Sequence, residues 1–133
     1  QVQDKNIKVN PIVTLDFNTK PNYQVGDAFP LDMQISDHDN QTDLFVQRID
    51  LLVKKMAEAW DDDPRIGFVY MGITGKWGEQ FYKIGERTPL VMTPSVIKVL
   101  GDSFSKYFKN KKILVRNPKY FDGTSLQANN NTY

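Results

Sequence analysis

The chain has 133 residues, with 17 Lys and Arg against 16 Asp and Glu and a formal net charge of +1. That length fits about one ordinary domain, and a hydrophobic fraction of 40% with 12% aromatics allows a real core. The near-neutral balance excludes a broad electrostatic footprint for nucleic acid, and the absence of cysteine excludes disulfide scaffolds, thiolate zinc sites and cysteine nucleophiles.

No apolar run reaches the roughly 18 residues that a membrane-spanning helix needs, so no membrane span is expected. Gln1 opens the chain and no charged-then-apolar leader follows. The expectation is a chain whose leader has been removed, or a piece of something longer. A secreted or periplasmic bacterial location fits that reading.

In chain order, residues 7–17, "IKVNPIVTLDF", are rich in β-branched and apolar types and predict a strand. Pro11 cannot donate to a ladder, which puts the strand core at Ile12 to Phe17. Residues 18–42 are long, polar and turn-rich, and a loop of that length in a small domain is often functional. Residues 43–60, "DLFVQRIDLLVKKMAEAW", predict a helix, with Phe45, Ile49, Leu52, Met56 and Trp60 on one face. Thr42 or Asp43 can cap its start, and Asp61-Asp62-Asp63-Pro64 ends it.

Residues 65–73 contain "IGFVYMGI", a strand with no polar alternation, as expected of a strand covered on both faces. A second long loop spans 74–93. Thr93-Pro94 then starts a helix to about Phe108, with Ile97, Leu100, Phe104 and Phe108 on one face. Gly101 weakens it. "KILVR" at 112–116 predicts a third strand, stopped by Asn117-Pro118. The preceding basic cluster, Lys109-Asn110-Lys111-Lys112, reads as a solvated turn rather than a phosphate patch. Residues 121–133 read as a polar flexible tail, so the domain is placed at 1–120.

The order strand, helix, strand, helix, strand predicts an α/β fold with right-handed parallel βαβαβ units. Three strands fit a small doubly wound sheet or a partial (β/α)8 TIM barrel, whose full form needs about 250 residues. In such folds ligands sit at the carboxyl ends of the strands. Three segments meet there: Asp16-Phe17-Asn18, Gly75-Lys76-Trp77-Gly78-Glu79 and Arg116-Asn117-Pro118-Lys119-Tyr120. In "GITGKWGEQ" the glycines match neither phosphate-loop nor dinucleotide spacing. A tryptophan face can instead pack on a pyranose ring, and a neighbouring glutamate can donate a proton to a glycosidic oxygen. The alternative is that Trp77 plugs the sheet end and Glu79 is a surface charge.

"SDHDNQTD" lacks the glycine and the terminal glutamate of a calcium loop, and a polar loop with a helix cap explains it, so no metal is expected. His38 is the only histidine. It has no Gly-x-Ser-x-Gly elbow to serve, which leaves a loop histidine, either beside a sugar site or apart from it. Tyr82 lines a subsite or covers the strand end.

Asp63-Pro64-Arg65-Ile66, an apolar strand, Gly72-Ile73-Thr74-Gly75-Lys76-Trp77-Gly78-Glu79, a helix and Val115-Arg116-Asn117-Pro118 form a pattern over residues 43–120. It resembles a family of β-galactosidase-like (β/α)8 barrels of unknown function, similar to the clan A glycoside hydrolases. The resemblance implies a hydrolase of O-glycosyl bonds. Glu79, ending the fourth strand of that pattern, would be its acid/base, and Arg116 would hold a sugar hydroxyl or orient a carboxylate. It also implies a second carboxylate on the seventh strand, about 5–5.5 Å away in a retaining enzyme. The chain reaches about the fifth strand, so it is expected to hold half of the pair.

The expectation is therefore a carbohydrate-active barrel segment acting on an oligo- or polysaccharide. Glu79 is the catalytic candidate, and Trp77, Arg116, Asp16, Asn18, His38 and Tyr82 are the substrate-binding ones. No cofactor is needed, and a homo-oligomer or the remainder of the barrel is the expected partner. A non-catalytic carbohydrate-binding domain and a small doubly wound ligand-binding domain are the alternatives.

Overall fold

A computed structural model of the chain describes residues 5, 7–15, 43–74, 78 and 94–116. Among them the element order is α1 (Asp43–Trp60), β1 (Phe68–Tyr70), α2 (Pro94–Tyr107) and β2 (Lys112–Leu114). The fold class is α/β. β1 and β2 pair in parallel, with Phe68 opposite Lys112, Val69 opposite Ile113 and Tyr70 opposite Leu114. Met71 N–H extends the pairing by donating to the Leu114 carbonyl at 3.0 Å.

The N-terminal segment runs along the other edge of β1 through two parallel bridges, Val9 to Ile66 and Ile12 to Tyr70. The register slips by one residue between them, and Pro11 is the cause. A proline has no N–H to give to the ladder. Tyr70 N–H donates to the Pro11 carbonyl at 3.0 Å, and the Asn10 side-chain oxygen accepts from Phe68 N–H at 2.9 Å. An asparagine amide thus stands in for a backbone carbonyl. The expected strand core from Ile12 onward begins too late, because pairing is already in place at Val9; Asp16 and Phe17 lie outside the described residues.

α1 occupies the expected residues. Asp43 lies in its first turn, where a carboxylate complements the exposed N–H groups. The helix closes with Asp61 N–H donating to the Ala57 carbonyl at 2.9 Å. A turn follows across Asp63–Ile66, with Pro64 in the second position that its fixed φ suits. Ile66 N–H donates to the Asp63 carbonyl at 3.1 Å, and Arg65 N–H donates to Asp63 Oδ1 at 2.8 Å.

Both helices and both strands bury one common core. α1 contributes Phe45, Ile49, Val53, Met56 and Ala57, and α2 contributes Val96, Leu100 and Phe104, with Phe108 just beyond it. Val69, Met71, Ile73, Ile113 and Val115 complete it from the sheet. The buried arc of α1 is turned toward Val53 and Ala57. Leu52 and Trp60, expected in the core, are half-buried and pack at its margin, as does Ile97 on α2. Trp60 sits in the last helical turn, where only part of so large a ring finds cover. α2 packs on α1, with buried Ser103 on the shared face.

The strands alternate as a pleat requires. Val69 and Ile113 are buried toward the helices, whereas Phe68 is exposed and Tyr70 and Leu114 are half-buried on the opposite face. Coverage of both faces, expected from the unbroken apolar run, is met on the helix side, and Phe68 stays open to solvent on the other.

Candidate functional site

Three parallel segments sit side by side in the order N-terminal segment, β1, β2. Their carboxyl ends therefore share one edge of the sheet. Leu15 N–H donates to the Ile73 carbonyl at 3.0 Å, which ties the first two ends together. Met71 to Leu114 ties the second to the third. Arg116 lies two residues past the end of β2 on this edge and is exposed.

Residues 71–74 continue beyond β1 and are buried throughout. Gly72 lies under the N-terminal segment. A Cβ there would meet Ile12 Cγ1 at 2.5 Å, Ile12 Cδ1 at 2.6 Å and the Val13 carbonyl oxygen at 3.2 Å. Gly78 is buried and has φ of 70°, and a Cβ on it would lie 2.8 Å from both Cα and the carbonyl carbon of Gly72. Only a residue without a side chain fits both the left-handed backbone and that approach. The glycines of "GITGKWGEQ" thus have a packing reason at 72 and 78. At Gly78 backbone lies close against the backbone of Gly72.

The two neighbours of Gly78 in the chain are Trp77 and Glu79. Both lie outside the described residues, as do Asp16, Asn18, His38 and Tyr82. Of the expected site residues the structure therefore describes Arg116 alone. The described neighbours of three others are Leu15, which precedes Asp16, and Gly78, which lies between Trp77 and Glu79.

The other polar clusters lie elsewhere. Asp61 follows α1, and its carboxylate accepts backbone N–H groups from Lys109, Asn110 and Lys111 at 3.0–3.2 Å. Asn110 Nδ2 donates to Asp62 Oδ1 at 2.7 Å. The amides of the basic turn are thus filled by this chain's own carboxylate, at the amino end of β2. Asp63 holds Arg65 through Nε at 2.9 Å and Nη2 at 2.6 Å. The Arg65 side chain and backbone beside it lower the Asp63 carboxyl to about 2. Between the helices, Asp50 accepts from the Ser103 hydroxyl at 2.6 Å and from the Tyr107 hydroxyl at 2.9 Å. Burial acts to raise its carboxyl, and the two hydroxyls with Lys106 and Lys54 outweigh it, so the net direction is down. These groups brace the amino ends and the helix pair rather than the strand-end site.

Sequence reasoning missed the two backbone contacts of Gly72 and the acceptor role of Asn10. Asn10-Pro11 was the available signal for the second. No family model, no curated protein and no solved structure matches this chain. Among the described residues no helix is long and apolar enough to cross a membrane.

Proposed function

We propose that this chain is part of a carbohydrate-active α/β barrel of glycoside hydrolase type, with its substrate at the carboxyl ends of the parallel strands. The observation that carries the reading is the return of Gly78 to Gly72. It supports a Trp-Gly-Glu element anchored at the end of the central strand, where parallel α/β folds bind ligands. In this reading Trp77 offers its face to a pyranose ring. Glu79 protonates the glycosidic oxygen as the bond to the anomeric carbon breaks. Arg116 holds a sugar hydroxyl or orients a carboxylate. The second carboxylate comes from further strands, carried by a longer chain or by a second copy. A doubly wound sheet would put its ligand at the same edge.

Titration with lactose, followed by tryptophan fluorescence, tests the site. Trp77→Ala is expected to abolish binding and Glu79→Gln to leave it nearly intact. Unchanged lactose affinity in Trp77→Ala would sink the reading. Release of nitrophenol from a nitrophenyl β-galactoside by the unaltered protein, lost in Glu79→Gln, separates a hydrolase from a binding module.

A further inference from the structure

We infer that Asn10 and Gly67 form a register lock, which decides which residues of the N-terminal segment face the core. From Val9 to Ile12 the segment advances by three residues, while from Ile66 to Tyr70 its partner advances by four. The extra residue makes a bulge, with two residues of one strand opposite one of the other. Before it the ladder is regular: Val9 N–H donates to the Arg65 carbonyl at 2.8 Å, and Gly67 N–H to the Val9 carbonyl at 2.9 Å. In an unbroken parallel ladder the next donor of the segment would be residue 11, a proline, and its carbonyl would accept from Val69 N–H. Instead the Pro11 carbonyl accepts from Tyr70 N–H at 3.0 Å, and Asn10 Oδ1 accepts from Phe68 N–H at 2.9 Å. Gly67 makes the room for this amide, since a Cβ there would lie 2.8 Å from Asn10 Oδ1 and 3.1 Å from Lys8 Cβ. The consequence reaches the core. Continuing the Val9–Ile66 register would set Ile12 opposite Val69, which is buried toward the helices, and would turn Ile12 and Thr14 inward. The observed register sets Ile12 opposite Tyr70 and over Gly72, and lets Val13 and Leu15 pack against the core. It also brings Leu15 N–H to the Ile73 carbonyl at 3.0 Å. The lock stands on these contacts and is independent of the carbohydrate reading.

Amide hydrogen exchange tests the lock at Val9, before the bulge, and at Leu15, beyond it. Asn10→Ala is expected to lower protection of Leu15 by about 5–10-fold, the worth of one such hydrogen bond. Protection of Val9 should stay as in the unaltered chain, and so should that of Met71, which is bonded to β2 on the far side of β1. Asn10→Asp keeps an acceptor oxygen and is expected to retain all three. Gly67→Ala displaces the amide and should match Asn10→Ala, with little further loss when the two are combined. Unchanged Leu15 protection in Asn10→Ala overturns the inference, because burial of Val13 and Leu15 would then set the register without the amide. Equal losses at Val9 and Leu15 also overturn it, since Asn10 would then hold the segment on the sheet rather than fix its register. So does loss at Met71, which would make the amide a support of the whole fold. Asn10→Asp behaving like Asn10→Ala is equally contrary, because an acceptor at residue 10 would then not be what matters.

Discussion

The Asp61 carboxylate lies 3.0 Å from the backbone nitrogen of Asn110, 49 residues further along the chain. It also takes the N–H groups of Lys109 and Lys111. One side chain at the end of α1 thus organises the whole turn from α2 into β2. It joins the two αβ junctions at the amino edge of the sheet.

Asp61→Ala removes a charged acceptor from three backbone donors. Hydrogen bonds to charged groups are worth about 1.5–3 kcal/mol each when isolated, and the exposed turn recovers part of that from water. The expected loss is about 2 kcal/mol in urea denaturation at neutral pH. A loss below about 0.5 kcal/mol, the ordinary range for a surface substitution, would show that the turn forms without it.

Asp50 and Ser103 couple α1 to α2 through a 2.6 Å hydrogen bond. A double-mutant cycle with Asp50→Ala and Ser103→Ala is expected to give a coupling energy of about 0.5–1.5 kcal/mol. Additive single effects would mean that the bond does not persist in solution.

Asp63 titrates lower in the folded chain than in the unfolded one, reaching about 2 beside Arg65. A lowered carboxyl binds fewer protons when folded, so its contribution is present at neutral pH and lost as pH falls. The window runs from about 4, the ordinary aspartate value, down to about 2. Asp63→Asn is expected to flatten the stability profile of the chain within that window and to leave its slope above pH 5 unchanged. Parallel profiles for the two proteins would contradict the pairing.

Gly72→Ala drives a methyl into Ile12, at 2.5 and 2.6 Å, and toward the Val13 carbonyl at 3.2 Å. Overpacking of this kind costs about 1–3 kcal/mol. Ile12→Ala clears the larger clash. The double variant is therefore expected to be more stable than the sum of the two single losses predicts. Strict additivity in thermal unfolding would place Ile12 away from Gly72.

Val53 and Leu51 are two residues apart on α1, one fully buried and the other 42% exposed. Val53→Ala is expected to cost about 2 kcal/mol through lost burial and a residual cavity. Leu51→Ala should stay within about 0.5 kcal/mol. Chemical denaturation of both variants tests the orientation of the helix, and the reverse ranking would rotate it.

α1 was legible in full from the sequence because its information is local: apolar residues at steps of three and four, an acidic start and an Asp-Pro stop. The alternation of strands and helices likewise implied parallel pairing, since a parallel neighbour needs a crossover. The fine register was not legible. The slip at Pro11, the use of the Asn10 side chain as a ladder acceptor and the tilt of α1 toward Val53 depend on what lies across the gap, not along the chain. The same holds for the site. Three glycines around Gly72 to Gly78 mark a special backbone, but only the tertiary structure brings residue 78 onto residue 72, and only there does the lack of a side chain become a requirement. Asp61 is the clearest case. In sequence it is one of three aspartates before a proline. In space it alone faces three amides nearly fifty residues away, because the packing of α1 on α2 sets that distance. Local periodicity chose the elements; contact between elements distant in the chain decided which residues carry the structure and the site.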